Sequence, residues 1–326
     1  MGSERTRNLV EYGSFSAMSS RLVAARQGLA PGDPDLPDWE GMVLPDTWAD
    51  HLRWWQLGGV FALFRVLLLS RRRPVEVPEG VPLAAELPDY IKQEFHAIPN
   101  GNYSNRLVAP YVEGFDLSML GRIQAVRRWV AERFEGLGSV LDVGCGGGKL
   151  AGEIQRAGVP DVWGIDASPY MLKYAASLNP GVKFVQGLAE RMAFADERFD
   201  AACACFLFHE LPPSAADQVV TEIWRVLKPH APLIIIEPGP EQLSTKNPFK
   251  LWKLAGLAGL YFGVLARRVY EPFVEQWHGR NHREWLTQHG FRVLEERSAF
   301  PFRIHVALRH ERRAFLPGQT SSPASS

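Results

Sequence analysis

From Gly138 onward, short apolar runs rich in β-branched residues alternate with stretches whose apolar positions recur every three or four residues. The first texture fits strands buried on both faces, the second amphipathic helices. Strands are predicted at 139–143, 162–166, 182–186, 199–205 and 233–237, and helices at 149–157, 169–177 and 215–227. Such alternation builds a parallel sheet with crossover helices. A helix at 282–289 follows, then strands at 291–297 and 302–309. Those two strands lie too close in sequence for a helical crossover and should pair antiparallel.

The first part of the chain has a different texture. Pro and Gly crowd residues 30–45 and 74–88, which read as loops, while 48–69 and 116–134 carry helical patterns. The predicted organisation is an N-terminal helical or cap region over 1–115 and a core over 116–312. The core carries a cap insertion at about 240–281, and a disordered tail follows over 313–326.

Composition narrows the partners. The 326 residues are 46% hydrophobic and 22% charged, an ordinary globular balance. Basic and acidic side chains number 36 each, which argues against a nucleic-acid binder that relies on bulk positive charge. The three cysteines, Cys145, Cys203 and Cys205, are too few for a disulfide framework, so a reducing cytosol is the expected compartment. Residues 1–10 contain no apolar signal core.

Two apolar stretches stand outside the strand pattern, 57–69 and 251–264, each followed by arginines. Both fall short of the ~20 residues that a membrane span needs. They are expected to be helices, buried against each other or at a homodimer contact. The alternatives are a wall for a bulky apolar acceptor, or peripheral membrane attachment.

The chemistry concentrates where the first strand runs into Asp142-Val143-Gly144-Cys145-Gly146-Gly147-Gly148 and a helix follows. Glycines there permit positive φ and close ligand approach, and the helix start presents free N–H groups. A phosphate loop would need Lys followed by Ser or Thr, but Leu150 follows Lys149. A dinucleotide loop would need glycine at 149. The remaining pattern, acid-x-G-x-G-x-G, is met by Asp142, Gly144, Gly146 and Gly148.

In that loop the chain resembles the class I S-adenosylmethionine-dependent methyltransferases of small-molecule type. The resemblance continues in order through Gly164-Ile165-Asp166, Gln186-Gly187-Leu188-Ala189-Glu190, the segment 206–211 and the turn 222–229, covering about 134–309. It implies a Rossmann-like α/β fold of seven strands, mostly parallel with the last antiparallel, capped by the N-terminal helical region. It also implies S-adenosylmethionine as cofactor, held by Asp142, Gly144, Cys145, Gly146, Gly148, Asp166, Ala167, Gly187, Leu188, Ala189 and Cys205. Asp166 would accept from the ribose hydroxyls, leaving Ser168 to cap the next helix with Pro169 in its first turn. The reaction implied is methyl transfer to a small, possibly apolar organic acceptor. Two other readings stay open: a catalytically inactive cofactor-binding partner protein, and a nicotinamide-dependent oxidoreductase.

Three side chains are candidates for catalysis. His209 follows the fourth strand, near where an open α/β sheet holds its ligand, with Glu210 beside it. His96 and Tyr103 belong to an aromatic and polar cluster, from Tyr90 to Tyr111, which the resemblance implies would fold over the cofactor as a lid and which otherwise reads as a surface turn anchored by aromatics. Cys145 reads as a small residue in a tight loop, not a nucleophile. His278 and His282 have helical spacing, but Gly279 and the capping Asn281 interrupt it, and no metal is expected.

Overall fold

The computed structural model describes residues 29–52, 74–269 and 271–311. The apolar stretch 57–69, most of the helical pattern at 48–69, and the tail lie outside the described residues. The elements, in chain order, are α1 (Val108–Ser118), α2 (Arg122–Phe134), β1 (Ser139–Val143), α3 (Lys149–Arg156), β2 (Asp161–Asp166), α4 (Pro169–Leu178) and β3 (Lys183–Gln186). They continue with β4 (Ala201–Cys205), α5 (Pro213–Val226), β5 (Pro232–Pro238), α6 (Pro248–Arg268), α7 (Val274–His278), α8 (His282–Gln288), β6 (Phe291–Ala299) and β7 (Phe302–Arg309).

The strands form one seven-stranded sheet in the order β3-β2-β1-β4-β5-β7-β6. The first five pair in parallel, and β7 runs antiparallel to both β5 and β6. The predicted α/β sheet and its reversed last strand are therefore present. Because successive strand side chains face opposite ways, each face has its own core. Leu141, Val143, Trp163 and Ile165 pack under α5, while Val140, Val162, Cys203 and Ile234 pack under α2 and α3. All five residues of β1 are buried, which holds its carboxyl end firmly at the middle of the sheet. Each such Leu, Val or Ile contributes roughly 1.5–3 kcal/mol by leaving water.

Three expectations need correction. The single helix foreseen at 116–134 is two, α1 and α2, because Leu120 and Gly121 adopt left-handed backbone at φ 52° and 73°. The N-terminal cap covers the sheet, but its described residues 29–52 and 74–107 are turns with one short 3-10 turn at Phe95–Ala97. Dense Pro and Gly interrupt the backbone ladder a helix would need. Single side chains fasten this cap instead. Trp39 Nε1 donates to Phe184 O (2.9 Å), Tyr170 OH to Pro45 O (2.7 Å), and Arg198 pairs with Asp33 (2.6 Å). Finally, α6 does not bury its apolar residues as expected. Leu251, Gly259, Phe262 and Gly263 are buried, whereas Phe249, Trp252, Leu257, Tyr261 and Val264 face outward.

Candidate active site

The loop leaving β1 is laced to β2 by its own backbone, since Gly144 and Cys145 N–H both donate to Ile165 O (2.9 and 3.0 Å). Asp142 lies buried behind it and accepts from Ala151 N (3.1 Å), tying the first turn of α3 to the strand. Burial pushes the Asp142 carboxyl up to about 7, against the pull of that N–H. Gly146 has φ 49°, and no atom lies within 4 Å of where its Cβ would stand, so the backbone faces open space. Gly148 has φ 70° for another reason: a Cβ there would lie 2.7 Å from the Phe184 ring.

Asp166, at the end of β2, reaches across to this loop. One carboxylate oxygen accepts from Gly146 N and the other from Ser168 N, both at 2.9 Å. Ser168 Oγ in turn accepts from Met171 N, so the helix cap falls on Ser168 as expected. Each Asp166 oxygen keeps lone-pair capacity for a further donor. Burial raises its pKa to about 6, opposed by the two N–H groups.

Two cavities meet at Asp166. One is lined by the loop from Gly144 to Gly147 with Asp142, Cys205, Phe206, Tyr111, Phe115 and His96. The other is lined by Ala167, Gly187, Leu188, Ala189, Tyr90 and Tyr103. Asn102, Gly144, Asp166, Leu207 and Glu210 line both, which makes the two a continuous cleft. Every residue expected to hold the cofactor lines it except Gly148, which is a packing position beneath the loop. Two buried polar atoms in its wall, Asn102 Oδ1 and Tyr103 OH, have no hydrogen-bond partner among the described residues. Buried polar groups are normally paired, so these orphans suit a ligand.

The cap brings His96 into the first cavity. Its backbone takes a left-handed φ of 53°, a strained setting held by the surrounding turn. Asn100, fully buried, accepts at its side-chain oxygen from Trp48 Nε1 and Glu76 N, and its amide donates to Tyr103 O. His96 Nε2 lies 2.5 Å from Glu210 Oε1, and the imidazole stacks on Tyr111 with ring centroids 5.6 Å apart. Glu210 is held below the usual carboxylate range by His96 and His209, despite burial.

His209 is not placed as expected. It is fully buried, lines neither cavity, and places Nδ1 2.5 Å from Glu237. Burial alone would lower its pKa, but Glu237 and Glu271 outweigh this and raise it to about 9. It is a charged internal partner of those carboxylates, not a base open to substrate. Glu237 also accepts from Leu207 N (3.0 Å) and Phe208 N (2.7 Å), fixing the loop after β4. Tyr103 does line the cleft, but its pKa is raised well above the ordinary value, chiefly by burial, so it can donate a hydrogen bond and not serve as a base.

Burial likewise pushes the thiols of Cys145 and Cys203 up, and Cys205 to about 12, which leaves them inert. His278 and His282 place Nε2 against Pro238 O (3.0 Å) and Trp277 O (2.9 Å), and His282 has His305 beside it at 4.7 Å between ring centroids. Among the described residues no group of three or more His, Cys, Asp or Glu is gathered to hold a metal. Sequence reasoning missed Glu237 and the buried pair Arg127–Asp116 (2.6 Å), whose arginine lines the first cavity. Arginine on the otherwise apolar stripe Ile123, Val126, Val130 was the available signal.

Residues 140–230 match the model of a family described as a methyltransferase domain. An uncharacterised methyltransferase, sll0829, of Synechocystis is 38% identical over 90 residues, 28% of this chain and 42% of that protein. The demethylmenaquinone methyltransferase of Chlorobaculum parvum is 39% identical over 109 residues, 33% of this chain and 43% of that protein. The chain thus spans about two fifths of the length of these relatives. Among solved structures, an S-adenosylmethionine-dependent methyltransferase from Aquifex aeolicus aligns over 63% of this chain and 98% of its own at 20% identity, with a TM-score of 0.44. The matched segment contains the glycine loop, Asp166 and the sheet-side wall of the second cavity from Gly187 to Glu190, and over that segment the chain is similar to methyltransferase domains.

Proposed function

We propose that this chain transfers the methyl group of S-adenosylmethionine to a small apolar acceptor whose attacking atom must lose a proton. The observation that carries the reading is the single cleft in which Asp166 and His96 face a shared space. The cofactor supplies an already activated methyl group on a sulfonium. Asp166 would accept from the ribose hydroxyls, and Leu188, Ala189 and Leu207 offer apolar faces to the adenine. The open backbone at Gly146 leaves room for the amino-acid end. His96, oriented by Glu210, would take the acceptor's proton, and Tyr111 and Phe115 would exclude water around it. Such a positioned base contributes about 10²–10⁴-fold, and orientation supplies roughly 7–11 kcal/mol of the barrier. The apolar acceptor is supported by Tyr111, Val112, Phe115 and Phe206 in the first cavity and by the substrate named for the Chlorobaculum relative.

Calorimetric titration with S-adenosylhomocysteine and with NAD tests the cofactor, and product formation over a panel of phenols, quinols and amines tests turnover. We expect the thioether to bind, NAD not to bind, and turnover with phenols or quinols. Binding of NAD alone would overturn the reading in favour of an oxidoreductase. Thioether binding without turnover on any acceptor would favour an inactive partner protein.

A further inference from the structure

Helix α6 is apolar on two opposite faces, yet only one of them has a partner. Phe262, Leu265, Ala266 and Val269 turn inward onto a small cavity shared with Met119 and Phe206. Leu257, Tyr261 and Val264 recur at helical spacing on the other side and are exposed, Leu257 at 79%. The first turns add Phe249 and Trp252, stacked on one another and also exposed. Tyr261 OH donates to Ser118 O (2.9 Å), which brings α6 beside the α1–α2 turn with its exposed Leu117 (78%) and Leu120. The outer side of α6 and the adjoining α1–α2 turn thus expose large apolar side chains side by side. A helix apolar all round is ordinarily covered all round.

The charge around the patch is one-sided. Residues 243–270 contain Lys246, Lys250, Lys253, Arg267 and Arg268 and no acidic residue, in a chain whose net charge is +0. Arg267 donates to Thr245 O, so the two arms of the broken helix lie beside one another and the basic residues gather at their shared end, beyond the apolar bend. That pattern suits a surface with an apolar interior and negative headgroups, not another protein's neutral groove. The helix has the length and composition to cross a membrane. Its backbone is nevertheless broken at Ala255 and Gly256, and its inner face packs on the sheet domain, with Phe262 against Phe300 (5.7 Å). A broken, half-packed helix lies on a bilayer and does not span it.

We infer that the outer face of α6, with Leu117 and Leu120, docks on an anionic lipid bilayer. Phe249, Trp252, Leu257 and Val264 enter the interface, while the lysines and arginines meet the headgroups. This goes beyond the methyl-transfer reading and does not depend on it, since none of these residues lines the cofactor cleft. Each basic residue near an anionic surface adds about fivefold to the partition constant.

The test is co-sedimentation of the full chain with vesicles of phosphatidylcholine alone, and with vesicles containing about one-third phosphatidylglycerol. Pelleting with the second vesicles and not the first is expected, with release as salt rises. In Leu257→Glu/Val264→Glu, pelleting should fall about tenfold or more, and in Lys250→Gln/Lys253→Gln by a smaller factor. S-adenosylhomocysteine affinity and melting temperature, measured alongside, should stay at the wild-type level and show that the variants fold. Full-chain protein left in the supernatant with both vesicles would overturn the inference. So would undiminished pelleting of Leu257→Glu/Val264→Glu, which would place the contact elsewhere on the chain. A dimer in sedimentation velocity that this variant dissociates, without vesicle binding, would assign the face to a second copy.

Discussion

The two halves of the cleft are made in opposite ways. The cofactor half is a stretch of consecutive backbone, Asp142 to Gly148, closed by one carboxylate from the neighbouring strand. The half proposed for the acceptor is assembled from side chains far apart in sequence: His96 and Glu210 are 114 residues apart, yet 2.5 Å apart in space. The first half is set by the sheet and its strand-end bend. The second depends on a turn-rich cap held by individual hydrogen bonds such as those of Asn100 and Asp50. Binding and chemistry should therefore respond to different substitutions.

The largest separation is expected at His96. His96→Ala should lower kcat by about 10²–10³-fold, with S-adenosylhomocysteine affinity within about twofold of wild type. Loss of affinity in step with kcat would show that the halves are not separable. Asp166→Ala should do the reverse, weakening S-adenosylhomocysteine by about a hundredfold in calorimetry as charge-assisted hydrogen bonds are lost. A smaller effect comes from pH. Asp166 must be ionised to accept from a diol, and its pKa stands at about 6. Cofactor affinity should then fall about tenfold as pH drops from about 7 to 5, and Asp166→Asn should bind weakly with no such slope. The sign for folding is opposite. The folded pKa lies above the unfolded ~3.9, so the cofactor-free chain loses stability from this group as pH rises from about 4 to 6. The smallest effect is expected at Cys145, where Cys145→Ala should leave turnover within about twofold. A larger loss would give the thiol a role its burial denies it.

The same contrast governs what could be read from the chain beforehand. Strand periodicity located the sheet to within a residue or two, and β7 at 302–309 agrees with its prediction end to end. The cradle was legible because its residues are contiguous and because crossover topology brings the ends of β1 and β2 together. The acceptor side was legible only as a cluster. The place of His209 after β4, near the expected ligand crevice, makes it the leading candidate in the sequence, but on a 3-10 turn neighbouring side chains diverge by about 120°. Glu210 therefore faces the cleft while His209 turns to Glu237. For α6, composition correctly indicated a helix. Burial did not follow from it, because apolar character does not say which faces the rest of the chain will cover.

Glu237 has a consequence for both halves. Its carboxylate holds the amides of Leu207 and Phe208, so the residue bordering the adenine side and the residue clamping His96 hang from one peg. Remodelling at 206–210 or at 237 would shift ligand grip and proton transfer together, like a bracket carrying two shelves. Redesign of acceptor preference should instead begin at Tyr111, Val112 and Phe115, whose side chains can change shape without moving that bracket.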